Sequence, residues 1–493
     1  MAFYGLDFGT TNTSLSTLVD GKVVLLPIDQ SAENRGVARS ALYFYPRKVQ
    51  ISNKVNKEQL ESQTFMADQI WYEGDEKVIT GGKAVSTYLN DNRSRHEGIK
   101  RKIYTGKHNT VILYTKQSGT VVTGEIPEYY EEIDFGTGRL FHALKTALKS
   151  PSFKGARVFG KQYSLEEMIG IFVNNLKKVA DSISDFESKS VVCGRPVSFS
   201  IDPELDKKAQ DRLEKAIHEA GFDEVKFQFE PVAAAKYYLS RFPSKGKRVL
   251  VFDFGGGTFD TTVMDVDVYS GMDSGSGPGM TNSGNNFRVL ATDGVYVGGD
   301  LLNSDIFYHK LGKFFGTEVR FGEMQMRMPG HIISGLRSWF GIPNLNNPDD
   351  IGFLTGNVKY KNTDPAAIER LLYLIQKNLG FEIYEAIEIA KKQLTKSESA
   401  RIIFTDGPID IDEEITKDEF EKIIEPRIIA VKETVLRTLN SAGLTIDDID
   451  IVVRTGGSSL VPVFEQMLIE MFGKDKVTEF DPFTSVAAGL ALE

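Results

Sequence analysis

The sequence predicts an α/β protein built of two related lobes with a cleft between them. Three observations lead to this fold class. A strand–turn–strand pattern, whose turn combines an acid, glycine and threonine, begins near residue 1 and begins again near residue 247. Each copy is followed by segments of helical period and by further short apolar strands. A length of 493 residues also exceeds one ordinary domain and suits two large lobes.

Composition and charge narrow the class of protein. The hydrophobic fraction of 41% and the charged fraction of 26% are typical of a soluble globular chain. The net charge is −10 and no long Lys/Arg block occurs, so neither nucleic acid nor membrane is an expected partner. Cys193 is the only cysteine, which excludes an internal disulfide and fits a reducing compartment. With no leader-like or membrane-spanning segment in the sequence, the expected location is cytoplasmic.

In the first lobe, a meander of three strands is followed by a mixed region and then by alternating helices and strands. Residues 31–135 have no strong period, so the order of their strands is not predicted. The capping pair Ser164 and Glu167 starts a long amphipathic helix. The other predicted elements are strands at 3–8, 14–19, 22–28, 191–193 and 225–229, a helical face at Leu140, Leu144, Ala147 and Leu148, a helix at 204–221, and a helix from Pro231.

The second lobe repeats the strand–turn–strand unit at 247–268. A Gly/Ser/Asn-rich stretch at 273–286 is predicted as a mobile hairpin tip. Residues 301–425 are expected to be largely helical, and Thr416 with Glu419 again has the spacing of a capping box. A strand at 449–453 and a helix at 460–472 complete this lobe.

The two acid–glycine turns, Asp7–Thr13 and Asp253–Asp260, are the candidate phosphate-binding elements. Glycine lets backbone N–H groups approach phosphate oxygens, and a carboxylate at a strand end can hold Mg²⁺ through its waters. One such turn alone is an ordinary hairpin, whereas two with the same order of residue types indicate a clamp on one phosphate tail. The candidate groups are Asp7, Gly9, Thr10, Thr11, Asn12, Asp253, Gly255, Gly256, Gly257 and Thr258.

Two further segments extend this site. Thr455–Ser459 places glycines between a strand and a helix, where adenine or ribose can lie against the backbone; such a turn also needs glycine for structural reasons alone. Glu230, at a strand end, is the candidate to orient the attacking water or a metal-bound water. The glycine and lysine spacing of a P-loop occurs at 155–161, but Gln162 stands where that motif needs Ser or Thr, so no P-loop is expected.

Together these segments resemble the heat-shock protein 70 (DnaK-type) family of the actin/hexokinase/heat-shock ATPase superfamily. Asp7–Thr13 resembles its first phosphate loop, Asp253–Asp260 its second, and Thr455–Ser459 its adenosine loop. Glu230–Ala235 resembles its connecting segment, and the motifs occur in family order along essentially the whole chain. The resemblance implies an actin/hexokinase-like ATPase fold with the nucleotide in the cleft.

The stretches 194–199 and 227–234 are most similar to the bacterial YegD branch of that family. The sequence ends at Glu493 with neither the apolar linker nor the β-rich peptide-binding domain of the family, so a nucleotide-binding domain alone is expected. The expected boundaries are lobe I at 1–243 with an inserted subdomain at about 31–160, and lobe II at 244–493 with an inserted subdomain at about 301–425.

The resemblance also implies roles for individual residues. Asp253 would position the attacking water, and Lys145 matches the lysine that contacts the γ-phosphate and that water. Thr258 and Asp260 would lie near the metal or a potassium ion. The implied nucleotide contacts outside the two turns are Gly298, Gly299, Glu388, Lys391, Lys392, Thr395, Gly456, Gly457 and Ser458.

Three positions depart from the family pattern. Leu460 stands where the family has an arginine stacked on adenine, and Lys392 replaces the arginine opposite. Loss of the planar guanidinium pair is expected to reduce adenine affinity or base selectivity. Phe483 replaces an acid near the nucleotide.

The predicted function is that of a Mg²⁺-dependent, chaperone-like ATPase, which converts ATP and water to ADP and phosphate and opens or closes its lobes with nucleotide state. A protein partner or co-chaperone would read that state. Two alternatives stay open: a small-molecule kinase of the same superfamily, which needs an acceptor hydroxyl, and a non-hydrolysing nucleotide-gated interaction module or a filament-forming protein. ATP turnover without an acceptor, and light scattering with nucleotide, distinguish them.

Overall fold

The structure is a computed structural model that describes residues 3–45, 47–93, 99–116, 118–119, 121–134, 138–151, 153–184, 186–242, 246–266, 287–359 and 363–492. The hairpin tip predicted at 273–286 and the lobe boundary predicted at 243 lie outside the described residues. Within these ranges, no helix has both the length and the apolar character needed to cross a membrane.

The first half of the chain contains a large mixed sheet with helices packed on it. Its helices are α1 Lys57–Ser62, α2 Gly82–Arg93, α3 Leu144–Ala147, α4 Leu165–Ser184, α5 Pro203–Glu219 and α6 Glu230–Arg241. Its strands are β1 Tyr4–Phe8, β2 Asn12–Val19, β3 Lys22–Leu25, β4 Val37–Arg39, β5 Ala41–Phe44, β6 Lys48–Ile51, β7 Thr64–Met66, β8 Ile70–Glu73, β9 Val78–Thr80, β10 Ile99–Thr115, β11 Val121–Asp134, β12 Arg139–His142, β13 Gly155–Val158, β14 Lys161–Ser164, β15 Ser190–Arg195 and β16 Glu224–Phe229.

The second half contains a second sheet and most of the helical mass. Its strands are β17 Lys247–Phe254, β18 Phe259–Val266, β19 Arg288–Val295, β20 Arg320–Phe321, β21 Met326–Arg327, β22 Ser399–Asp406, β23 Ile409–Thr416, β24 Ile451–Thr455 and β25 Val477–Glu479. Its helices are α7 Gly299–Ile306, α8 Gly330–Leu336, α9 Pro348–Lys359, α10 Pro365–Gln376, α11 Gly380–Leu394, α12 Lys417–Ser441, α13 Pro462–Phe472 and α14 Ser485–Leu490.

The two large sheets share one topology. The first has the order β16-β15-β1-β2-β3, with β4 also paired to β2, and the second has the order β19-β18-β17-β24-β25. In each, the first strand of a meander pairs in parallel with a later strand, which pairs in parallel with another. The meander β1–β3 therefore corresponds to β17–β19, and β15 and β16 correspond to β24 and β25. The internal repeat predicted from the sequence is present as a duplicated sheet.

Local sequence explains the elements that carry the site. In β17, every residue from Val249 to Phe254 is buried, because this strand has a neighbour on each side within a sheet that is covered on both faces. Helix α4 begins where Ser164 and Glu167 exchange side-chain to backbone hydrogen bonds, as the capping pair predicts. Its buried face, which includes Met168 and Phe172, packs on the first sheet.

A small apolar layer joins the two lobes. Helices α6 and α14 lie in it, between strands of both sheets. The fit is close enough that a Cβ atom on Gly489 would lie 1.7 Å from the Ala233 carbonyl oxygen. Ser16 of β2 donates a hydrogen bond of 2.5 Å to the carbonyl of Ala487. Although α14 belongs to the second half of the sequence, it packs against the first sheet.

Two local predictions differ from the structure. Leu140 lies in strand β12, and only Leu144–Ala147 is helical there. The region 301–425 contains the hairpin β22–β23, whose residues alternate between buried and exposed with the period of a strand. The P-loop-like segment at 155–161 is part of the hairpin β13–β14, in agreement with the expectation that it is not a P-loop. In the region 31–135, whose strand order was not predicted, β10 and β11 form a long two-stranded ribbon.

Candidate active site

The two acid–glycine turns lie against one another. A Cβ atom placed on Gly256 would lie 2.2 Å from Thr11 Oγ1, and one placed on Gly257 would lie 2.6 Å from Thr10 Oγ1. Any side chain at either glycine would collide with the opposite turn. Only glycine therefore allows the backbones of the two turns to approach this closely.

The N-terminus of helix α7 holds the second turn. The backbone N–H of Gly299 donates to the carbonyl of Gly255 at 3.1 Å, and that of Asp300 donates to Gly256 at 2.9 Å. A Cβ atom on Gly298 would lie 2.3 Å from the Gly256 carbonyl oxygen. The predicted glycines Gly298 and Gly299 are thus brought into contact with the second turn.

A small cavity between the turns collects most of the predicted phosphate-binding and catalytic residues. Its wall includes Asp7, Gly9, Thr10, Thr11, Asn12, Lys145, Glu230, Asp253, Gly255, Gly256, Gly257, Thr258, Gly456 and Gly457. Asp7 is the penultimate residue of β1 and Asp253 that of β17, so the two acids occupy equivalent positions in the duplicated sheets. The residues come from both lobes, which makes the cavity a property of the whole fold.

Lys145 and Glu230 form a buried ion pair in this cavity. Lys145 Nζ lies 2.6 Å from Glu230 Oε1, and the two residues are only 8% and 9% exposed. Burial alone would lower the pKa of Lys145, but the carboxylates of Glu230 and Asp7 outweigh burial and hold that pKa above its ordinary value. The ammonium group is therefore charged at neutral pH and faces the carboxylates of both lobes.

Asp7 and Asp253 also interact electrostatically with Lys145 and Glu230. Burial and the neighbouring charge of Glu230 raise the pKa of Asp7 to about 7. Burial, followed by the charges of Glu230, Asp260 and Asp7, raises the pKa of Asp253 well above its usual range. This accumulation of negative charge opposes ionisation in the ligand-free protein, and a bound cation would relieve it.

Asp260 is held by hydrogen bonds to both carboxylate oxygens. Its Oδ1 accepts the backbone N–H of Val197 at 3.0 Å, and its Oδ2 accepts the Thr258 hydroxyl at 2.8 Å. Val197 follows β15 of the first sheet, so this carboxylate joins the two lobes. The expected proximity of Asp260 and Thr258 to a metal or potassium ion stays a prediction.

Among the residues that the structure describes, no group of three or more His, Cys, Asp or Glu side chains is arranged to hold a metal ion. Mg²⁺ usually keeps several waters and needs only one or two protein carboxylates beside the phosphates. The chemistry of the donor set, with Asp7 and Asp253 on the cavity wall, fits such a water-mediated ion.

A larger cavity of about 530 Å³ adjoins the first one. It is lined by six of the seven remaining predicted nucleotide contacts, namely Gly299, Glu388, Lys391, Lys392, Thr395 and Ser458, together with Leu460 and the aromatic residues Trp339, Phe340, Phe381 and Tyr384. Gly298 is not among its lining residues. The walls of the two cavities share five residues: Thr11, Asn12, Gly256, Gly457 and Phe483. The predicted phosphate and nucleoside residues therefore line one continuous space.

Glu388 holds together one wall of the larger cavity. It accepts hydrogen bonds from Lys391 Nζ at 2.6 Å and from Asn303 Nδ2 at 2.9 Å. Burial would raise the pKa of Glu388, but Lys391 and these hydrogen bonds outweigh it and lower the pKa to about 2. Lys391 also donates to the Gly299 carbonyl at 3.2 Å, which connects helix α11 to the start of α7.

The adenosine-type loop is fixed to the second phosphate turn. The Ser458 hydroxyl donates to the Gly255 carbonyl at 2.7 Å. Gly456 has φ of +81°, and a Cβ atom there would lie 2.4 Å from the Phe254 carbonyl oxygen, so the turn after β24 requires glycine. The glycines of this loop are thus explained by backbone geometry as well as by any flat ligand.

Several residues of the site were not identified from the sequence. Arg39 of the first lobe and Glu385 of the second form a bidentate ion pair, with N–O distances of 2.6 and 3.1 Å. No local pattern connects residues that are 346 positions apart. Asp300 and Asn303 line the larger cavity, and the position of Asp300 directly after the two predicted glycines could have identified it.

The raised carboxylate pKa values predict a pH dependence of stability. Asp260 has its pKa raised to about 7, first by burial and then by Glu230, so between about pH 4 and 7 the folded protein binds more protons than the unfolded chain. The free energy of unfolding should therefore fall as pH rises from about 4 to 7 and level off above that. In urea denaturation without nucleotide, Asp260→Asn should lose less stability than the parent protein between about pH 5 and 7. An equal loss of unfolding free energy in both proteins would show that the Asp260 carboxyl is not its cause.

A two-lobed α/β fold with duplicated sheets and facing acid–glycine turns defines the actin/hexokinase-like class. A family model described as "Hsp70 protein" matches residues 83–274 and 376–493, well over half of the chain. The chain therefore belongs to the Hsp70 family. The actin/hexokinase-like ATPase fold predicted from the sequence is confirmed by this membership.

Curated relatives are distant in sequence. The chain is 24% identical over 386 residues to "Chaperone protein DnaK" of Thermosipho melanesiensis, which covers 78% of this chain and 52% of that protein. It is 24% identical over 491 residues to "Mitochondrial-type heat shock protein 70" of Encephalitozoon hellem, with 99% and 62% coverage. It is 21% identical over 496 residues to "Chaperone protein DnaK" of Methanothermobacter thermautotrophicus, with 99% and 59% coverage. The chain thus spans between half and two thirds of the length of these relatives.

Proposed function

We propose that this protein binds ATP with Mg²⁺ in the cleft, hydrolyses it to ADP and phosphate, and changes the relative position of its lobes with nucleotide state. The observation that carries the proposal is the meeting of the two glycine turns beside the Lys145–Glu230 pair and Asp253. Membership of the Hsp70 family supports the same reading. A cytoplasmic location and a chaperone-like role belong to this proposal.

The phosphate tail is proposed to lie in the smaller cavity. Backbone N–H groups of both turns and the hydroxyls of Thr10 and Thr11 are donors suited to phosphate oxygens. Asp7 and Asp253 are proposed to hold Mg²⁺ through its waters, and the ion, when bound, would neutralise charge on the phosphates. The raised pKa values of these acids support a cation site, because a nearby positive charge would let both ionise.

Hydrolysis is proposed to depend on positioning and charge. Phosphoryl transfer needs an oriented water and stabilisation of the charge on the transferred group more than covalent chemistry by the protein. Asp253 lies on the wall of this cavity and is suited to accept a proton from that water once a bound cation lets its carboxyl ionise. Glu230 would orient the water and, through its ion pair, keep the Lys145 ammonium directed at the γ-phosphate.

A protein partner or co-chaperone is proposed to recognise the relative position of the lobes, which depends on the bound nucleotide. Contacts of both lobes on one phosphate tail would disappear when the γ-phosphate leaves, so the equilibrium between closed and open forms would shift. The bonds Val197–Asp260 and Arg39–Glu385 already join the lobes and are the contacts that such a movement would change.

The nucleoside is proposed to lie in the larger cavity, beside Leu460 and Lys392. Leu460→Arg should tighten ATP binding by about threefold to tenfold, because a guanidinium can stack on the base where leucine cannot. Isothermal titration with ATP checks this, with Leu460→Met as the control for side-chain length. An unchanged affinity in the arginine variant would contradict this position of the base.

ATP turnover by the purified chain, with Mg²⁺ and with EDTA, tests the proposed function. Phosphate release that depends on Mg²⁺ and needs no added acceptor is expected. Release only in the presence of an acceptor hydroxyl would favour the small-molecule kinase instead. Tight ATP binding without any single-turnover hydrolysis would favour the non-hydrolysing interaction module.

A further inference from the structure

An aromatic side chain occupies the junction of the two cavities. Phe483 lines both of them and leaves 41% of its surface exposed, although it is a large apolar residue. The ring faces the backbone of Gly457, since a Cβ atom on that glycine would lie 3.0 Å from Phe483 Cε1. Phe483 and Gly457 therefore lie side by side where the two cavities meet.

The turn that carries Phe483 is firmly fixed. Asp481 has φ of +32°, a backbone conformation that non-glycine residues rarely adopt. Its carboxylate caps the turn by accepting the backbone N–H of Thr484 at 3.1 Å and the hydroxyl of the same residue. Its carbonyl accepts the hydroxyl of Thr455, the last residue of β24, at 3.3 Å. The exposed ring is thus presented from a turn that is anchored to the second sheet.

Other residues of the larger cavity offer a different chemistry or are less accessible. Leu460 contributes an aliphatic side chain, and Lys392 an ammonium group on helix α11, so neither provides a flat surface that can cover the face of an aromatic base. The rings of Phe381 and Tyr384 also line this cavity but are only 4% and 7% exposed. Trp339 and Phe340 line the larger cavity alone, whereas Phe483 is the one aromatic residue among those that both cavities share.

We infer that Phe483 is the stacking surface on which this protein binds the nucleoside part of its ligand. The inference rests on the proposed function and deepens it, because it assigns nucleoside recognition to an aromatic ring. Covering an exposed ring removes apolar surface from water, and stacking on a base adds to that gain while tolerating different bases. The ligand class is a nucleoside triphosphate whose base and ribose, and not its phosphates alone, determine affinity.

Titration calorimetry with two probes tests this inference. ATP carries the base, and inorganic tripolyphosphate carries only the phosphates. Phe483→Ala should weaken ATP binding by about tenfold and leave tripolyphosphate binding unchanged. Phe483→Tyr should retain ATP affinity, whereas Phe483→Leu, which keeps apolar volume without a flat face, should lose most of it.

Phe242→Ala is the matched control. Phe242 is 52% exposed and is not among the lining residues of either cavity, so its removal should leave both affinities near those of the parent protein. Thermal unfolding of each variant checks that the fold is kept. Unchanged ATP binding in Phe483→Ala, or an equal loss for ATP and tripolyphosphate, would overturn the inference while leaving the proposed function in place. A parent protein that binds tripolyphosphate as tightly as ATP would overturn it too, and one that binds neither would overturn the proposed function itself.

Discussion

Replacing Asp253 with asparagine should reduce ATP hydrolysis by at least about 100-fold and spare ATP binding. Asparagine keeps the shape of the side chain at the end of β17 but cannot accept a proton from water. The substitution also removes one member of the crowded carboxylates, whose charges raise the pKa of Asp253. The ligand-free variant should therefore be at least as stable as the parent protein at about pH 8.

Single-turnover hydrolysis and ATP titration calorimetry measure the two parts of this prediction. Asp475→Asn, which alters an exposed acid in a short helical turn, is the control for loss of one negative charge. A hydrolysis rate close to that of the parent protein would remove Asp253 from the mechanism. Loss of ATP binding together with hydrolysis would show that Asp253 mainly holds the ligand.

Lys145→Met should damage both activity and stability. Methionine removes the ammonium group proposed to stabilise charge on the γ-phosphate, so turnover should fall at least about 100-fold. It also leaves Glu230 as a buried acid without its partner, beside Asp7. Breaking a buried ion pair by removing one member costs about 3 kcal/mol or more of unfolding free energy.

A double variant separates the two effects. Lys145→Met combined with Glu230→Gln removes the orphaned charge, so urea denaturation should show that most of the lost stability returns. Turnover should stay low, because the double variant lacks both proposed catalytic groups. If stability in the double variant were as low as in Lys145→Met, an uncompensated charge on Glu230 could not be the cause of the loss.

Local sequence patterns predicted the parts of the fold and site that depend on neighbouring residues. The strand ends at Asp7 and Asp253, the glycine turns after them and the cap of α4 each need only a few consecutive residues. The ion pair between Lys145 and Glu230 joins residues 85 positions apart, so no window of sequence contains it. Contacts between the lobes cannot be predicted from local sequence either, because they exist only after both sheets have formed.

Two secondary-structure predictions were wrong because tertiary contacts overrode the local apolar pattern. Residues 399–416 contain enough Ile and Phe to suit a buried helix, but they alternate between core and solvent with a period of two. Tertiary packing against α11 and α12 decides between the two structures. Near residue 140 the apolar spacing fits a helix, yet pairing with β5 makes Arg139–His142 a strand.

Helix α14 has a consequence for how the chain assembles during synthesis. Its contact with β2 joins residues 471 positions apart, and its other partners include β1. Such a large sequence separation carries a high loop-closure cost and slows folding. Until residues 485–490 have left the ribosome, the apolar surface that they cover in β1 and β2 stays open to water. The nascent chain is thus exposed to aggregation until α14 docks, so it would itself benefit from a chaperone.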